Sequence, residues 1–322
     1  MEVPLDPGYA KMKMISITMS CFNEEENVAI IRDRIDTVFR EFTQYSYEII
    51  YIDNSSTDCT VQNIKAMALE DKRIKLIVNA RNFGHIRSPH HAFLQAKGSA
   101  VINMASDLQD PPELIRDFLL KWEEGFKIVV AIKTGTKDSK TMWAFRQSYY
   151  HLLGKIADVQ VLQNFTGFGL YDRQVVEIIR QFDDRYPYLR GMISEIGFKW
   201  AEVPFSQPLR MRGITKNNFY TLYDMAMLGI TCHSKVPLRL AAMAGFFLAL
   251  VSLMISLAYL GLKLLYWNTF SMGMAPVVIG VFFFGSVQLF FIGLLGEYVA
   301  AVHTQVLKRP LVIEQERVNF ED

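Results

Sequence analysis

Residues 47–71 read YEIIYIDNSSTDCTVQNIKAMALED, and the order of residue types in this stretch decides the fold class. Tyr47 to Asp53 is a short β-branched and aromatic run, which reads as a strand. It ends on an acid and a polar turn, and residues 60–71 then take up helical periodicity. The same unit recurs on either side. Strands are expected at 15–21 (ISITMSC), 74–79 (IKLIVN), 100–106 (AVINMAS) and 127–132 (KIVVAI), with helical stretches at 27–42, 89–98 and 112–125 between them. This alternation argues an α/β fold, a Rossmann-like and mostly parallel sheet with helices on both faces. Ligands in such sheets bind beyond the carboxyl ends of the strands, so the polar residues after each strand are the candidates.

Asn23 with Glu26, and Ser55 with Asp58, have capping-box spacing, which assigns them to helix starts. Glu24 and Asp53 are left to face the crevice. After the fourth strand the chain reads SDLQDPPE (106–113). Asp110, followed by Pro111, Pro112 and Glu113, has the pattern of an N-cap, and so starts a helix. While the backbone stays extended, Ala105, Asp107 and Gln109 share a face, because side chains alternate with period two. A carboxylate and an amide oxygen are hard ligands suited to magnesium or manganese, which completes its shell with water and substrate phosphates. On these residues alone, a diphosphate site and a purely structural turn both stand.

The chain has 322 residues, of which 51% are hydrophobic, and a net charge of +1. Its mean hydropathy of +0.14 is high for a soluble protein. The excess sits after Arg239, in one uncharged run ending at Lys263 and another ending at Glu297. Both exceed the roughly 20 residues needed to cross a bilayer, so two transmembrane helices are expected at about 238–263 and 274–301. A buried core hairpin is the alternative, but runs this long exceed ordinary globular helices. Lys235, Arg239, Lys308 and Arg309 flank the outer ends of the pair and place both in the cytoplasm. Just before the first span, Phe219, Leu222, Tyr223, Ala226 and Ile230 fall on one side of a helix. It would lie in the membrane interface or pack as a surface helix. Cys21, Cys59 and Cys232 have no metal or redox spacing, and the first residues lack the apolar core of a signal peptide. Balanced charge gives no reason to expect nucleic acid.

Taken together, SCFNEEENV (20–28), YIDNSSTD (51–58), RNFGH (81–85) and SDLQDPPE, followed by two apolar spans, resemble the family 2 glycosyltransferases that load a sugar onto a polyprenyl phosphate. Bacterial bactoprenol glucosyltransferases are the nearest in pattern, with dolichol-phosphate mannose synthases a step further away. The resemblance implies a GT-A type fold with a C-terminal two-helix transmembrane hairpin. It also implies inverting transfer of a sugar, with glucose from UDP preferred, to undecaprenyl or polyprenyl phosphate. By the same resemblance Ser20, Phe22, Glu24 and Asp53 hold the nucleoside, with Ser106 and Lys133 also at the nucleotide, and Asp107 and Gln109 hold Mg2+ or Mn2+. In LRMRGITK (209–216), Arg210 and Lys216 match the cations that contact the phosphates. Asp107, Arg210 and Lys216 are therefore the expected catalytic group. Juxtamembrane basic charge attracted to anionic lipid is another reading of Arg210, Arg212 and Lys216.

The expected organisation is an N-terminal extension (1–13), a cytoplasmic GT-A catalytic domain (14–216), a juxtamembrane interfacial helix (217–235), two transmembrane helices (236–303) and a cytoplasmic C-terminal tail (304–322). A multi-pass protein of the bacterial inner membrane follows, with a homo-oligomer, a separate flippase and a later glycosyltransferase as implied partners. Two stretches depart from the family pattern. Ala105 replaces an aspartate, and in TGFGLYDR (166–173) Gly167 and Gly169 stand where an acid and a base are usual. A processive polysaccharide synthase and a non-catalytic membrane partner are the competing expectations.

Overall fold

The computed structural model describes residues 12–134, 162, 164–184, 187–208, 236–266 and 274–320. Its sheet is built from β1 (Lys13–Cys21), β2 (Tyr45–Asp53), β3 (Ile74–Asn79), β4 (Ala100–Ala105), β5 (Ile128–Lys133), β6 (Phe165–Asp172), β7 (Trp200–Phe205) and β8 (Glu314–Val318). Their spatial order is β7-β5-β6-β4-β1-β2-β3-β8. β1 is parallel to β2 and β4, β2 to β3, and β5 to β7, while β6 is antiparallel to both β4 and β5 and β8 to β3. It follows that β1 to β5 and β7 all point the same way. Their carboxyl ends form one edge of the sheet, where β6 begins.

The strands carry two cores because their side chains alternate. In β2, Ile49 and Tyr51 enter one core while Ile50 and Ile52 enter the other. Helices α1 (Val28–Phe39), α2 (Thr60–Glu70) and α4 (Ile115–Glu123) cover the first face with Ile31, Ile35, Ile64 and Phe118. Helix α3 (Gly84–Gln95), α5 (Arg173–Gln181) and α6 (Leu189–Ile196) cover the second with Phe93, Val176 and Ile193.

The expected α/β class, with helices on both faces, is the observed one. The structure adds three strands that apolar runs do not announce. β6 contains Gly167 and Gly169, β7 carries Pro204, and β8 reads EQERV. Glycine, proline and charge all weaken strand patterning, and all three are tolerated at bulges or edges. Gly169 is required by contact, since a Cβ there would meet the Val129 carbonyl oxygen at 2.4 Å. The tail expected at 304–322 is likewise different, because its residues 314–318 complete the sheet beside β3.

At the amino-terminal end of the sheet the polar groups are consumed internally. Asp172 caps α5 through the Gln174 N–H (3.0 Å) and accepts from Trp122 Nε1 (2.8 Å) and Lys127 Nζ (3.1 Å). Arg173 donates to the carbonyls of Ala96 (2.9 Å) and Gly98 (2.8 Å). Buried Glu48 pairs with Lys75 at 2.7 Å.

Helices α7 (Val236–Leu265) and α8 (Met274–Val306) form a separate unit with residues outside the sheet domain. Both are long and apolar enough to cross a membrane. Phe246, Phe247, Phe282 and Phe290 are each 65% exposed or more. Aromatic area of this kind is at home in lipid and not in water. The residues expected to form the interfacial helix, 217–235, lie outside the described residues.

Candidate active site

The chain order reverses between β1 and β4. β1 leads outward through β2 and β3, whereas β4 lies on its other side. A crevice opens beyond the strand ends at such a switch point. Here Ser20 is in register with Ile52 and Ala105, and Cys21 with Asp53. The ends are stitched together by Asn54 N–H to the Cys21 carbonyl (2.8 Å) and by the Ser106 hydroxyl to the Ser20 carbonyl (2.7 Å).

The segment after β4 keeps its alternation although it leaves the sheet. Ala105 is exposed and Asp107 and Gln109 are half-buried, whereas Ser106, Leu108 and Asp110 are buried. Leu108 makes this possible by adopting φ 61°. A left-handed leucine costs about 1–2 kcal/mol, and burying its side chain at 5% exposure offsets that cost. Asp107 Oδ1 accepts from the Gln109 N–H at 3.2 Å, which ties the two polar residues into one turn. Among the described residues no three His, Cys, Asp or Glu side chains form a metal cluster. The donor set is thus a carboxylate and an amide at the mouth of the crevice.

Asp110 does not cap a helix. The following 3-10 turn, Pro112–Leu114, has Pro111 at its N-cap position and no side-chain cap, and Asp110 Oδ2 instead accepts from the Ala105 N–H at 2.8 Å. It closes the Asp107 turn from beneath. Burial pushes its carboxyl up to about 7, against the Ala105 N–H, and the Asp107 charge adds to the rise. Glu113 pairs with Arg34 at 2.6 Å.

The two expected capping boxes are also corrected. Helix α1 starts at Val28 after Asn27, and α2 starts at Thr60 after Cys59, in both cases without a side-chain bond from the N-cap residue. Asn23 and Ser55 instead take positive φ angles of 59° and 65°. Their loops are laced together: Asn23 Oδ1 accepts from Thr57 N–H (2.9 Å), Thr60 Oγ1 from Glu24 N–H (2.8 Å), and Glu25 Oε2 from Cys59 N–H (2.8 Å). Asp53 is fully buried, and Ser56 donates to both its oxygens, through N–H at 2.9 Å and through its hydroxyl. Burial raises the Asp53 carboxyl above its ordinary value, and the Ser56 bonds oppose the rise. The buried position and both bonds mean that this carboxylate shapes its loop.

The structure therefore gathers Ser20, Phe22, Glu24, Asp53, Ser106, Asp107, Gln109 and Lys133 along one edge of the sheet. Lys133 ends β5, and β6 lies between it and β4. Two strand spacings put it about 10 Å from the Asp107 strand. Arg210 and Lys216 lie outside the described residues. At the start of β6, Gly167 has φ 101° and its carbonyl accepts from Asn103 Nδ2 at 3.1 Å. The position where the family resemblance leads one to expect an acid is here a backbone position suited to glycine.

Sequence reasoning missed Asn54, whose side chain fastens the loop after β3. It accepts from the Phe83 N–H at 2.8 Å and donates to the Gly84 carbonyl at 3.1 Å. Only the recurrence of Asn54 and RNFGH beside strand ends signals this pairing in the sequence.

The family described as glycosyl transferase family 2 matches residues 16–180. The SfII prophage-derived bactoprenol glucosyl transferase of Shigella flexneri is 32% identical over 300 residues, covering 93% of this chain and 96% of its own. The uncharacterized glycosyltransferase YkcC of Bacillus subtilis is 31% identical over 309 residues, 95% of each chain. Among solved structures, the mannosyltransferase PcManGT from Pyrobaculum calidifontis, in complex with GDP-Man and Mn2+, is 14% identical. It covers 96% of this chain and 90% of its own with a TM-score of 0.45. On the family match and the two sequence relatives, this chain belongs to glycosyl transferase family 2 and is a glycosyltransferase.

Proposed function

We propose that the protein transfers glucose, with inversion, from UDP-glucose to undecaprenyl or another polyprenyl phosphate at the cytoplasmic face of the bacterial inner membrane. The observation that carries this reading is the outward pair Asp107 and Gln109 at the switch point of a chain that also has two membrane-length apolar helices. The preference for glucose and for a bactoprenol carrier rests on relatives named bactoprenol glucosyl transferase at 31–32% identity. The cytoplasmic placement rests on Lys235, Arg239, Lys308 and Arg309. That both flanks share one side is supported by β8, because a chain that leaves the sheet at β7 and rejoins it at β8 must cross the bilayer an even number of times.

The chemistry fits a site without a general base. A phosphate monoester has its second pKa near ~6, so the lipid phosphate is largely ionised at neutral pH and is already a nucleophile. The need is to bring two anions together and to stabilise the departing diphosphate. Asp107 and Gln109 would hold Mg2+ or Mn2+, and two protein oxygens suit an ion that draws its other ligands from phosphates and water. Such an ion supplies charge neutralisation at the diphosphate. Arg210 and Lys216 would neutralise the phosphates further, with Ser20, Phe22, Glu24, Asp53, Ser106 and Lys133 around the nucleotide. A homo-oligomer, a flippase and a later glycosyltransferase that consumes the lipid-linked sugar complete the proposal.

The test is a donor screen with the full chain, undecaprenyl phosphate and Mg2+ or Mn2+, read by mass spectrometry of the lipid. A lipid carrying one hexose, made fastest from UDP-glucose, is the expected product. No sugar-linked lipid from any donor would overturn the enzyme reading, and polymer formed from donor alone would replace it with a synthase.

A further inference from the structure

The loop after β3, residues 80–84, reaches the same edge as Asp53 and is held from two sides. From the site side, Asn54 accepts from Phe83 N–H (2.8 Å) and from Asn79 Nδ2 (3.2 Å), and donates to the Gly84 carbonyl (3.1 Å). Asn79 also donates to Ser88 Oγ at 3.0 Å, while its own Oδ1 is buried with no partner. From the other side, the C-terminal return segment takes hold of the same loop. Ala80 N–H donates to the Ile313 carbonyl at 2.9 Å, and Arg87 donates to the Pro310 carbonyl at 2.6 Å while its guanidinium lies 5.3 Å from the Phe83 ring.

We propose that Asn54 is a positioning residue for the donor nucleotide, and that the C-terminal segment reaches the donor edge through Arg87, Phe83 and Asn54. Chain continuity gives this path a direction. Pro310 follows α8 by a few residues, Arg87 joins Pro310 to Phe83, and the Phe83 N–H is held by Asn54, which directly follows Asp53 in the chain. The inference rests on the carboxyl edge being the donor site, as proposed above.

The experiment measures UDP binding, with Mn2+, to the detergent-solubilised full chain by calorimetry, alongside donor KM and kcat. Variants are Asn54→Ala, Arg87→Ala and the pair. Losing a buried hydrogen-bond set is expected to weaken UDP about tenfold in Asn54→Ala, and losing the outer hold about threefold in Arg87→Ala. The double variant is expected to be no weaker than Asn54→Ala alone, because both act on one loop. Donor KM should rise with kcat within about twofold, whereas simple loss of folded protein would lower kcat and leave KM in place. Should Asn54→Ala not fold, Arg87→Ala carries the same comparison. Unchanged UDP affinity and donor KM in folded variants would overturn the proposal, and additive losses would overturn the shared path. Wild-type protein that binds no UDP would remove the donor-site reading itself, and this inference with it.

Discussion

At the amino-terminal end of the sheet, Asp172 receives three donors and Arg173 two carbonyls. At the carboxyl end, the polar residues sit in loops held by bonds between their backbones and each other's side chains. Backbone strain is divided just as unevenly. Of the seven non-glycine residues with positive φ among the described residues, Asn23, Ser55, Leu108 and Asn164 all lie at the carboxyl end. At the other end Asn319 follows β8 with φ 60°, but the turns before β5 and β7 use Gly125 and Gly197, where the conformation is cheap. Strain gathered mainly at one end of a sheet marks where the fold has been bent to present groups rather than to pack them.

The largest test of this contrast is Asp107→Ala. It should lower transfer by at least about a hundredfold to a thousandfold, the scale for losing one group that stabilises developing charge. Its unfolding midpoint should stay near wild type, since Asp107 is half-buried. Wild-type turnover with purified lipid acceptor would break the assignment of this end as the site.

Asp172→Ala should do the reverse. It removes an N-cap and leaves the buried Trp122 N–H without its acceptor, so denaturant unfolding should show a loss of about 2–4 kcal/mol with donor KM unchanged. Although burial raises the Asp172 carboxyl, bonds from Trp122, the Gln174 N–H and Lys127 hold it below its ordinary 3.8. Its contribution is therefore complete above about pH 4 and is lost as pH falls through the lower folded value. The gap between wild type and Asp172→Ala should close over that acid range, and a gap that widens there would contradict the ion pairing.

Leu108→Ala tests whether strain and burial balance at the site. A cavity cost of about 2–4 kcal/mol is expected in urea unfolding, together with weaker Mn2+ binding as the turn loses its anchor. Stability loss without any change in metal affinity would make Leu108 mere core. The smallest effects separate the two acids missing from the family pattern. Ala105→Asp, at an exposed position, should change stability by less than about 0.5 kcal/mol and shift metal affinity. Gly167→Asp should cost about 1–3 kcal/mol because of its φ of 101°. Equal stability of the two variants would refute the backbone account of Gly167.

The first five strands were legible because each is an apolar run ending in polar residues. β6, β7 and β8 were not, since glycine, proline and charge erase the period at positions where pairing, not pattern, makes the strand. Asp107 and Gln109 were legible because period two survives the left-handed turn at Leu108. Asn23, Ser55 and Asp110 read differently in the structure for a physical reason: capping boxes and loop turns use the same residue types, and what distinguishes them is a bond 34 positions away for Asn23, a positive φ for Ser55 and a backward bond to the Ala105 N–H for Asp110.

The return of β8 to the sheet also bears on how the protein is made. The Lys65–Glu316 bond joins residues 251 positions apart. At about 5–20 residues per second, β3 waits roughly 10–50 s for its neighbour while both apolar helices are synthesised. Over that interval the backbone edge of Leu76, Ile77 and Val78 has no strand beside it. An unpaired edge of this kind is open to intermolecular pairing. The length of chain between β3 and β8, more than any weakness of the core, is then what exposes the nascent enzyme to aggregation.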